Sequence, residues 1–269
     1  MKSTSQSSFF STGDQEWFVG TDAARGPWQA DACHAGPVTG LLARALEGLL
    51  SDKRLTRLTA VFMRPIPMTG FRIEANVSKS GRTLSVATAD LQDEQGRTCA
   101  TASSIHLATS DLGQMPTTET AGPRLEEAAP DKFPVSEINH DLPTFADAVD
   151  VAYPPGESSD PGPTTIWMRT PPLLPDEVPS PFQRLCPLAD CANGLSRNAE
   201  LTEVTFMNPD ITIASHRDPA SDWLAATATS FWERNSAGLA SAMLFDESGS
   251  VGLVLQPLVL SRVQPQATR

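Results

Sequence analysis

Residues 33–50 read CHAGPVTGLLARALEGLL, and this stretch has the spacing of one long helix. Its apolar residues recur three or four positions apart, at 38, 41, 42, 45, 46 and 49, and Pro37 suits a first helical turn. Gly40 interrupts the pattern at a cost of about 1 kcal/mol relative to alanine, which predicts that another backbone approaches there. The stretch therefore predicts a helix with a broad apolar face that the rest of the fold must cover.

Three segments with the two-residue alternation of β-strands follow this helix, at 71–77, 83–91 and 98–107. The turn Asp93–Gly96 separates the last two, as expected of a hairpin. A curved antiparallel sheet wrapped around a helix covers the helix's apolar face. We therefore predict an α+β unit over the first part of the chain.

The second half of the chain repeats this organisation at an offset of 153 residues. A shorter helical run at 188–195 contains a second interior glycine, Gly194, and precedes alternating segments at 211–215, 223–232, 239–245 and 251–260. Identical or similar residues align in order: Cys33 with Cys186, Glu47 with Glu200, Arg64 with Arg217, and Asp93–Gly96 with Asp246–Gly249. The fold class predicted is two tandem α+β repeats whose sheets join edge to edge.

An acidic segment lies between the repeats. Residues 109–160 hold eleven acidic residues, two basic residues and seven prolines. This composition predicts a solvated connector without regular structure. Residues 144–153 alternate between apolar and polar side chains and predict a strand, so we place the connector at 109–142, between repeats at 1–108 and 143–269.

The overall composition excludes several classes of protein. The 269 residues are 40% hydrophobic and 19% charged, which is typical of globular chains. The net charge of −12 argues against nucleic acid or an anionic membrane as the partner. No apolar run approaches the roughly 18 residues of a membrane span, and the N-terminus lacks the apolar core of a signal peptide. Four cysteines without a CxxC pair indicate reduced thiols, so we expect a cytoplasmic protein.

Several short motifs, in the same order along the chain, resemble the acyl-CoA thioesterase II (TesB-like) family. They are Cys33–Val38 with Gly40–Ala45, Pro187–Gly194, Phe206–Asp210, His216–Pro219, and Phe245–Gly249 through Gln256. The resemblance covers about 15–108 and 143–262. It implies a double hotdog fold, in which each of two tandem repeats wraps a sheet around a long central helix.

The resemblance also implies a set of site residues. In the family a carboxylate, a hydroxyl or amide side chain, and a glutamine hold a water near the thioester, and these functions fall on Asp190, Asn208 and Gln256. Asn208 stands where the family often has threonine; an amide can also donate and accept hydrogen bonds. The resemblance further implies an acyl-CoA substrate, neither metal nor cofactor, and a homodimer or higher homo-oligomer.

The internal repeat indicates which half carries the chemistry. At the offset of 153, the three site residues align with Pro37, Leu55 and Ser103, which predicts one working site per chain. The N-terminal half would then supply a pocket wall. The start of its helix offers His34 and the backbone N–H groups of Gly36 and Val38 as oxyanion or substrate contacts.

Each residue also has a structural interpretation. Asp190 could cap a helix N-terminus, Asn208 could initiate a turn before Pro209, and His34 could be a hydrogen-bonded structural group. Gln256 lies in an apolar run, where a buried amide needs partners. His106, His140 and His216 have no metal-ligand spacing with carboxylates or thiols.

The function expected is hydrolysis of an acyl-CoA thioester, with three alternatives. A hydratase or dehydratase of acyl thioesters would resemble an Asp/His pair five residues apart, which the sequence lacks. A non-catalytic acyl-CoA-binding protein and a repeat-built scaffold remain possible interpretations. The cations that would meet coenzyme A stay unresolved among Arg64, Lys79, Arg82, Arg217 and Arg234.

Overall fold

The computed structural model describes residues 8–13, 17–118, 120–135 and 141–263. Within these residues the helices are α1 (Ala35–Leu49), α2 (Phe145–Ala148), α3 (Pro181–Ala189) and α4 (Ala192–Leu195). The strands are β1 (Phe10–Thr12), β2 (Phe18–Gly20), β3 (Arg54–Phe62), β4 (Arg72–Lys79), β5 (Leu84–Gln92), β6 (Thr98–Leu107), β7 (Ala129–Pro130), β8 (Asp150–Tyr153), β9 (Thr164–Arg169), β10 (Val204–Met207), β11 (Asp210–Ser215), β12 (Leu224–Trp232), β13 (Ala237–Asp246) and β14 (Gly249–Arg262).

In the described part of the chain, twelve strands form one antiparallel sheet in the order β4-β5-β6-β3-β11-β14-β13-β12-β9-β8-β7, with β10 also pairing with β14. Helices α1 and α3 pack against each other, α1 against β4 and β5, and α4 against β12 and β13. The apolar core lies between these helices and the sheet. None of the described helices is long and apolar enough to cross a bilayer.

Strands β3 and β11 join the two halves at a symmetric seam. Thr59 pairs with Thr212 in the ladder, and their hydroxyl oxygens lie 3.0 Å apart. Leu58 pairs with Ile213 and Ala60 with Ile211 on either side. At the offset of 153, Leu58 corresponds to Ile211 and Ala60 corresponds to Ile213, so these two pairs are equivalent. A local two-fold axis therefore passes between the two threonines.

The offset of 153 also holds in the outer strands. Arg72 pairs with Gln92 in the N-terminal half, and Ala225 pairs with Phe245 in the C-terminal half. The next ladder toward the seam shifts register between residues 91 and 92 in one half and between 244 and 245 in the other. The correspondence between the two halves therefore extends to the position of a β-bulge, which was not predicted from the sequence.

The hairpin turns differ by one residue, and this changes one predicted alignment. The turn spans 93–97 in the N-terminal half, where the Asp93 N–H donates to the Arg97 carbonyl, but only 246–249 in the C-terminal half. Beyond the turn the offset is therefore 152. Gln256 lies opposite Ala240 just as Ser104 lies opposite Ala87. The counterpart of Gln256 is thus Ser104, and the prediction of Ser103 is wrong.

The helices do not follow the offset of the strands. Helix α3 begins at Pro181, so Cys186 lies inside it, whereas Cys33 precedes α1. A Cβ on Gly36 would lie 2.9 Å from Pro187 Cα, and one on Gly40 would lie 3.5 Å from the Gln183 carbonyl oxygen. At an offset of 147, Gly36 corresponds to Gln183 and Gly40 corresponds to Pro187. The two helix–helix contacts are therefore equivalent at that offset. The longer connection after the second helix, 196–203 against 50–53, absorbs part of the difference.

Two predictions about the helices are corrected by this packing. The counterpart of Asp190 is Ala43 rather than Pro37, because the helices follow the offset of 147. The close backbone approach occurs at Gly36, whereas the nearest atoms to a Cβ on Gly40 and Gly194 belong to the side chains of Leu173, at 2.8 Å, and Val135, at 3.1 Å.

The acidic connector is more structured than its composition predicts. Strand β7 pairs with β8 at the edge of the sheet, and the Tyr153 hydroxyl donates to the carbonyl of Lys132. Val135 is buried. Residues 145–148 form α2 rather than the start of a strand, because Thr144 and Asp147 close a capping box around that turn. Predictions for residue 119 and for 136–140, including His140, lie outside the described residues.

Candidate active site

A cavity of about 320 Å³ opens where the start of α1 meets the end of α3. The connector and α2 contribute Phe133, Val135 and Phe145 to its wall, and β10 contributes Phe206. Within the lining, four polar residues form one cluster: His34, Asp190, Asn193 and Asn208. An apolar cavity with one convergent polar cluster is the usual form of a small-molecule site.

Asp190 sits in a break between two helices. Helix α3 contains Pro187, whose missing N–H weakens the last turns, and α3 ends at Ala189 before α4 begins at Ala192. Asp190 follows the end of α3, and its side chain caps no helix, so the N-cap interpretation is wrong. The side chain is 5% exposed and points into the cavity wall instead.

Asp190 and three other residues form a closed ring of hydrogen bonds. Asn208 Nδ2 and Gln256 Nε2 donate to Asp190 Oδ1 at 2.8 and 3.1 Å. Gln256 Oε1 accepts from the Asn193 N–H at 3.0 Å, and Asn193 Nδ2 donates to Asn208 Oδ1 at 2.9 Å. The structure thus brings Asp190, Asn208 and Gln256 together, and Asp190 Oδ2, which accepts no hydrogen bond from this ring, lies 3.2 Å from His34 Nδ1.

Asn193 belongs to this ring and was not predicted from the sequence. It lies three residues after Asp190, so one helical turn separates the two side chains. That spacing is the signal that could have identified it. Its side-chain oxygen accepts from the Gly194 N–H, which fixes the orientation of the amide.

Gln256 is fully buried behind Asp190 and does not line the cavity. Besides the bond to Oδ1, its Nε2 donates to the Asp190 carbonyl at 3.0 Å. Both N–H groups of the amide are therefore occupied by Asp190. This geometry suits a residue that holds the carboxylate, rather than one that contacts a water in the cavity as expected.

His34 lies on the other side of the carboxylate. Its Nδ1 accepts from the Gly36 N–H at 3.1 Å and lies 3.2 Å from Asp190 Oδ2. The ring stacks on Phe145 with centroids 4.2 Å apart. Burial lowers the pKa of His34, while the nearby Asp190 acts in the opposite direction. The imidazole is therefore neutral at pH 7.

The backbone N–H groups predicted to face the substrate do not line the cavity. The Gly36 N–H is directed at His34, and Val38 is fully buried in the core. At this helix start the cavity is lined by Ala35 and His34 instead. The helix is turned in this way because Gly36 faces α3, where Pro187 leaves no room for a side chain.

The comparison with known proteins settles the family. The acyl-CoA thioesterase N-terminal domain matches residues 24–107, and the acyl-CoA thioesterase C-terminal domain matches 121–260. The chain belongs to the acyl-CoA thioesterase family. It is accordingly a thioester hydrolase, and its family acts on acyl-CoA.

Solved structures of the same fold align over nearly the whole chain of this thioesterase. A candidate thioesterase from Novosphingobium aromaticivorans is 18% identical, with a TM-score of 0.75, and the alignment covers 94% of this chain and 98% of that one. A hot dog fold protein from Alicyclobacillus acidocaldarius is 15% identical, with a TM-score of 0.68 and coverage of 94% and 96%. The acyl-CoA thioesterase II TesB2 from Mycobacterium marinum is 14% identical, with a TM-score of 0.63 and coverage of 97% and 96%. No functionally curated protein matches the sequence.

The N-terminal half of the thioesterase lacks the polar ring. The counterparts of Asp190, Asn208 and Gln256 are Ala43, Leu55 and Ser104. The Ser104 hydroxyl donates to the Ala87 carbonyl and lies 3.0 Å from His106 Nε2, within the core. The ring of hydrogen bonds is thus a property of the C-terminal half.

The cysteines of the thioesterase are poor nucleophiles. All four are free. Burial raises the pKa of Cys33 to about 12, and burial together with Asp190 raises that of Cys191 well above the ordinary thiol value. Neither thiol is ionised at neutral pH. Among the described residues no three His, Cys, Asp or Glu side chains are grouped as metal ligands.

One of the five cations considered from the sequence lines the cavity. Arg64 lies on its wall. Arg217 is held elsewhere, by Asp246. Lys79, Arg82 and Arg234 do not contribute to the lining.

Proposed function

We propose that this thioesterase hydrolyses acyl-CoA to a free acid and coenzyme A with water activated at Asp190. The observation that carries the proposal is the ring in which Asn208 and Gln256 donate to Asp190 Oδ1, Asn193 joins these two amides, and Oδ2 is left outside the ring. A carboxylate whose second oxygen is fixed can accept a proton from water in one defined direction.

The reaction follows from this arrangement. A water bound between Asp190 Oδ2 and the free N–H of Asn208 attacks the thioester carbon, and Asp190 takes its proton. The tetrahedral oxyanion collapses and expels the thiolate of coenzyme A. The thiolate takes a proton to give the thiol, so one thioester and one water yield one acid and one thiol. The acyl chain occupies the apolar part of the cavity, lined by aromatic side chains.

His34 links the base to the helix start. A neutral imidazole carries one proton, so Nδ1 either accepts the Gly36 N–H or donates to Asp190 Oδ2.

The proposal includes the organisation of the chain. Two tandem hotdog repeats, at 1–108 and 143–269, would be joined by the connector at 109–142, with one site per chain. Apolar side chains on the outer face of β14, Leu253, Leu255 and Val259, are about half exposed. Such a face supports association into a homodimer or higher homo-oligomer.

Thiol release from a panel of acyl-CoAs tests the proposed function. The panel runs from acetyl-CoA to stearoyl-CoA and includes branched and aromatic members. Asp190→Asn keeps the shape and the acceptor of the side chain but removes the base, so kcat/KM should fall about a thousandfold with an unchanged thermal melt. Asp222→Asn, which removes the same charge from an exposed side chain, should leave turnover unchanged.

The other outcomes separate the alternatives. Turnover that survives Asp190→Asn removes Asp190 from the mechanism. Saturable binding of acyl-CoA without thiol release from any member of the panel favours the non-catalytic binding protein. Hydration of an enoyl-CoA without thiol release favours the hydratase.

A further inference from the structure

Arg217 is locked by a buried carboxylate in the C-terminal half. Its Nη1 donates to Asp246 Oδ2 at 2.7 Å, and its Nη2 donates to Oδ1. Its Nε donates to the Ser250 carbonyl at 2.9 Å. Asp246 is fully buried in this pair. The arginine therefore joins the hairpin turn to the strand before it, and its charge is neutralised.

Arg64 is the counterpart of Arg217 at the offset of 153, and its side chain makes one of these three contacts. Its Nη1 donates to the carbonyl of Thr98, the counterpart of Ser250, at 2.6 Å. Asp93, the counterpart of Asp246, is taken by Arg97, whose Nε donates to Oδ2 at 2.7 Å. Arg97 belongs to the longer turn of this half. Asp93 is thus paired with Arg97, a residue of the longer hairpin turn, and not with Arg64.

Arg64 lines the cavity that holds Asp190. Arg64 is exposed, and among the described residues it pairs with no carboxylate. It is the one Arg or Lys side chain among the described residues that line the cavity. It also lines an adjoining depression of about 310 Å³, which contains Asp31 and Glu94 as well. An arginine at the opening, without a counter-ion, is suited to bind an anion that lies outside.

We propose that Arg64 binds a phosphate group of the coenzyme A part of the substrate. The inference rests on the proposed function, since the thioester carbon must reach Asp190 inside the cavity while the polyanionic end of the carrier stays outside. The chain carries a net charge of −12, so a polyanion needs a local cation to approach this opening. The planar fork of an arginine matches phosphate oxygens, and the bond to Thr98 leaves its other donors available.

Two substrates that differ only in phosphate test the assignment. The acyl-CoA that turns over fastest is compared with the S-acyl-pantetheine of the same acyl group, which has the same thioester and no phosphate. Arg64→Gln should raise KM for the acyl-CoA about tenfold, as expected for one exposed charge-assisted contact, with kcat little changed. KM for the pantetheine thioester should not change. Added salt should raise KM for acyl-CoA more in the wild type than in the variant.

Matched variants sharpen the result. Arg72→Gln removes an exposed arginine of the same half that lies outside the cavity, and it should leave both KM values unchanged. Arg97→Gln removes the partner of Asp93. Asp93 should then pair with Arg64, so KM for acyl-CoA should rise as in Arg64→Gln. Asp31→Asn should lower KM for acyl-CoA, because a repelling carboxylate is removed from the adjoining depression.

The failure of this proposal is distinct from failure of the proposed function. Equal effects of Arg64→Gln on both thioesters, or an effect confined to acyl groups that carry their own carboxylate, would overturn the assignment to phosphate while hydrolysis stands. Absence of hydrolysis of either thioester by the wild-type protein would remove the proposed function itself.

Discussion

The two ends of the helix pair α1–α3 hold carboxylates in contrasting ways. At one end the ring of Asn208, Asn193 and Gln256 bonds a single oxygen of Asp190, a residue that lines the cavity, and its other oxygen lies 3.2 Å from His34 Nδ1. At the opposite end Glu47 accepts from the Ser180 hydroxyl and from Gln183 Nε2, and both of its oxygens are bound by these partners. Burial raises the pKa of Glu47, although these hydrogen bonds act to lower it.

The difference teaches what distinguishes a site from a satisfied polar group. Both carboxylates are bonded by an amide side chain, and both sets of partners are linked, since the Gln183 N–H donates to the Ser180 hydroxyl and Asn193 joins Asn208 to Gln256. The two sites differ in that the partners of Glu47 bond both of its oxygens, whereas the ring bonds only Oδ1 of Asp190. A closed network of buried hydrogen bonds holds its members in one arrangement. In the N-terminal half Ala43, Leu55 and Ser104 replace the ring members, and the same strand frame tolerates this change because its ladders need only backbone groups.

After Asp190→Asn, the largest effect is expected from making one ring residue resemble its counterpart. Gln256→Ser introduces the residue type of Ser104 and removes three hydrogen bonds to Asp190 and Asn193. We expect kcat to fall about a hundredfold with KM little changed, and the free energy of unfolding to fall by about 1–3 kcal/mol because buried groups lose partners. Steady-state thiol release and urea unfolding measure the two effects.

Ser104→Ala is the matched control for this substitution in the other half. It should leave kcat unchanged. If Gln256→Ser lowers stability but not kcat, the ring is structural and does not position the base.

The second effect concerns the locked arginine of the C-terminal half. Burial alone would raise the pKa of Asp246, but Arg217 and two backbone N–H groups outweigh it and lower the pKa to about 2 from an ordinary value of 3.8. A group with a depressed pKa stabilises the fold fully above its unfolded value, and this contribution disappears as the pH falls through 3.8 toward 2.

Asp246→Asn should therefore reduce the free energy of unfolding at pH 7 by at most about 2 kcal/mol. The difference in free energy of unfolding between the variant and the wild type should become smaller below pH 4. Denaturant unfolding at pH 7, 4 and 3 checks the slope. Asp93→Asn, in the other hairpin, should show the same direction, since Arg97 lowers the pKa of Asp93 against its burial. A gap that stays constant down to pH 3 would contradict the assignment.

The smallest effect is expected at Asn208. A threonine hydroxyl can donate to Asp190 and accept from Asn193, so Asn208→Thr can keep the ring closed, and kcat should change by no more than about threefold. Asn208→Leu introduces the counterpart Leu55 and opens the ring, so kcat should fall about tenfold. Kinetics on one acyl-CoA compare the two variants. Equal losses in both would show that the ring is not what Asn208 contributes.

Much of the strand framework could be predicted from the sequence, because side-chain alternation and hairpin turns are local signals. The Asp93–Gly96 and Asp246–Gly249 turns located the same hairpin in both halves. The sequence also predicted that the two sheets join edge to edge, but the pairing of Thr59 with Thr212 at that edge came only from the structure. The convergence of Asp190 with Asn208 came from family motifs rather than from any local pattern.

The rest of the fold and of the candidate site depends on packing, which a single residue offset between the two halves cannot represent. The additional hairpin residue moved the counterpart of Gln256 by one position, and the earlier start of α3 moved that of Asp190 by six. The wall built by Phe133 and Val135 was hidden by an acidic, proline-rich composition. The orientation of the Gly36 N–H toward His34 depends on a tertiary contact with α3.

The seam between Thr59 and Thr212 also has a consequence for how such a site can evolve. In a dimer of identical chains, every substitution appears twice, so a change that favours catalysis at one helix end is imposed on the other end as well. Here the two edges that meet belong to one chain, and each position mutates alone. An additional residue in one hairpin can therefore leave Arg64 without a carboxylate partner while Arg217 stays paired with Asp246. In this way the two halves of a single chain can take different functions.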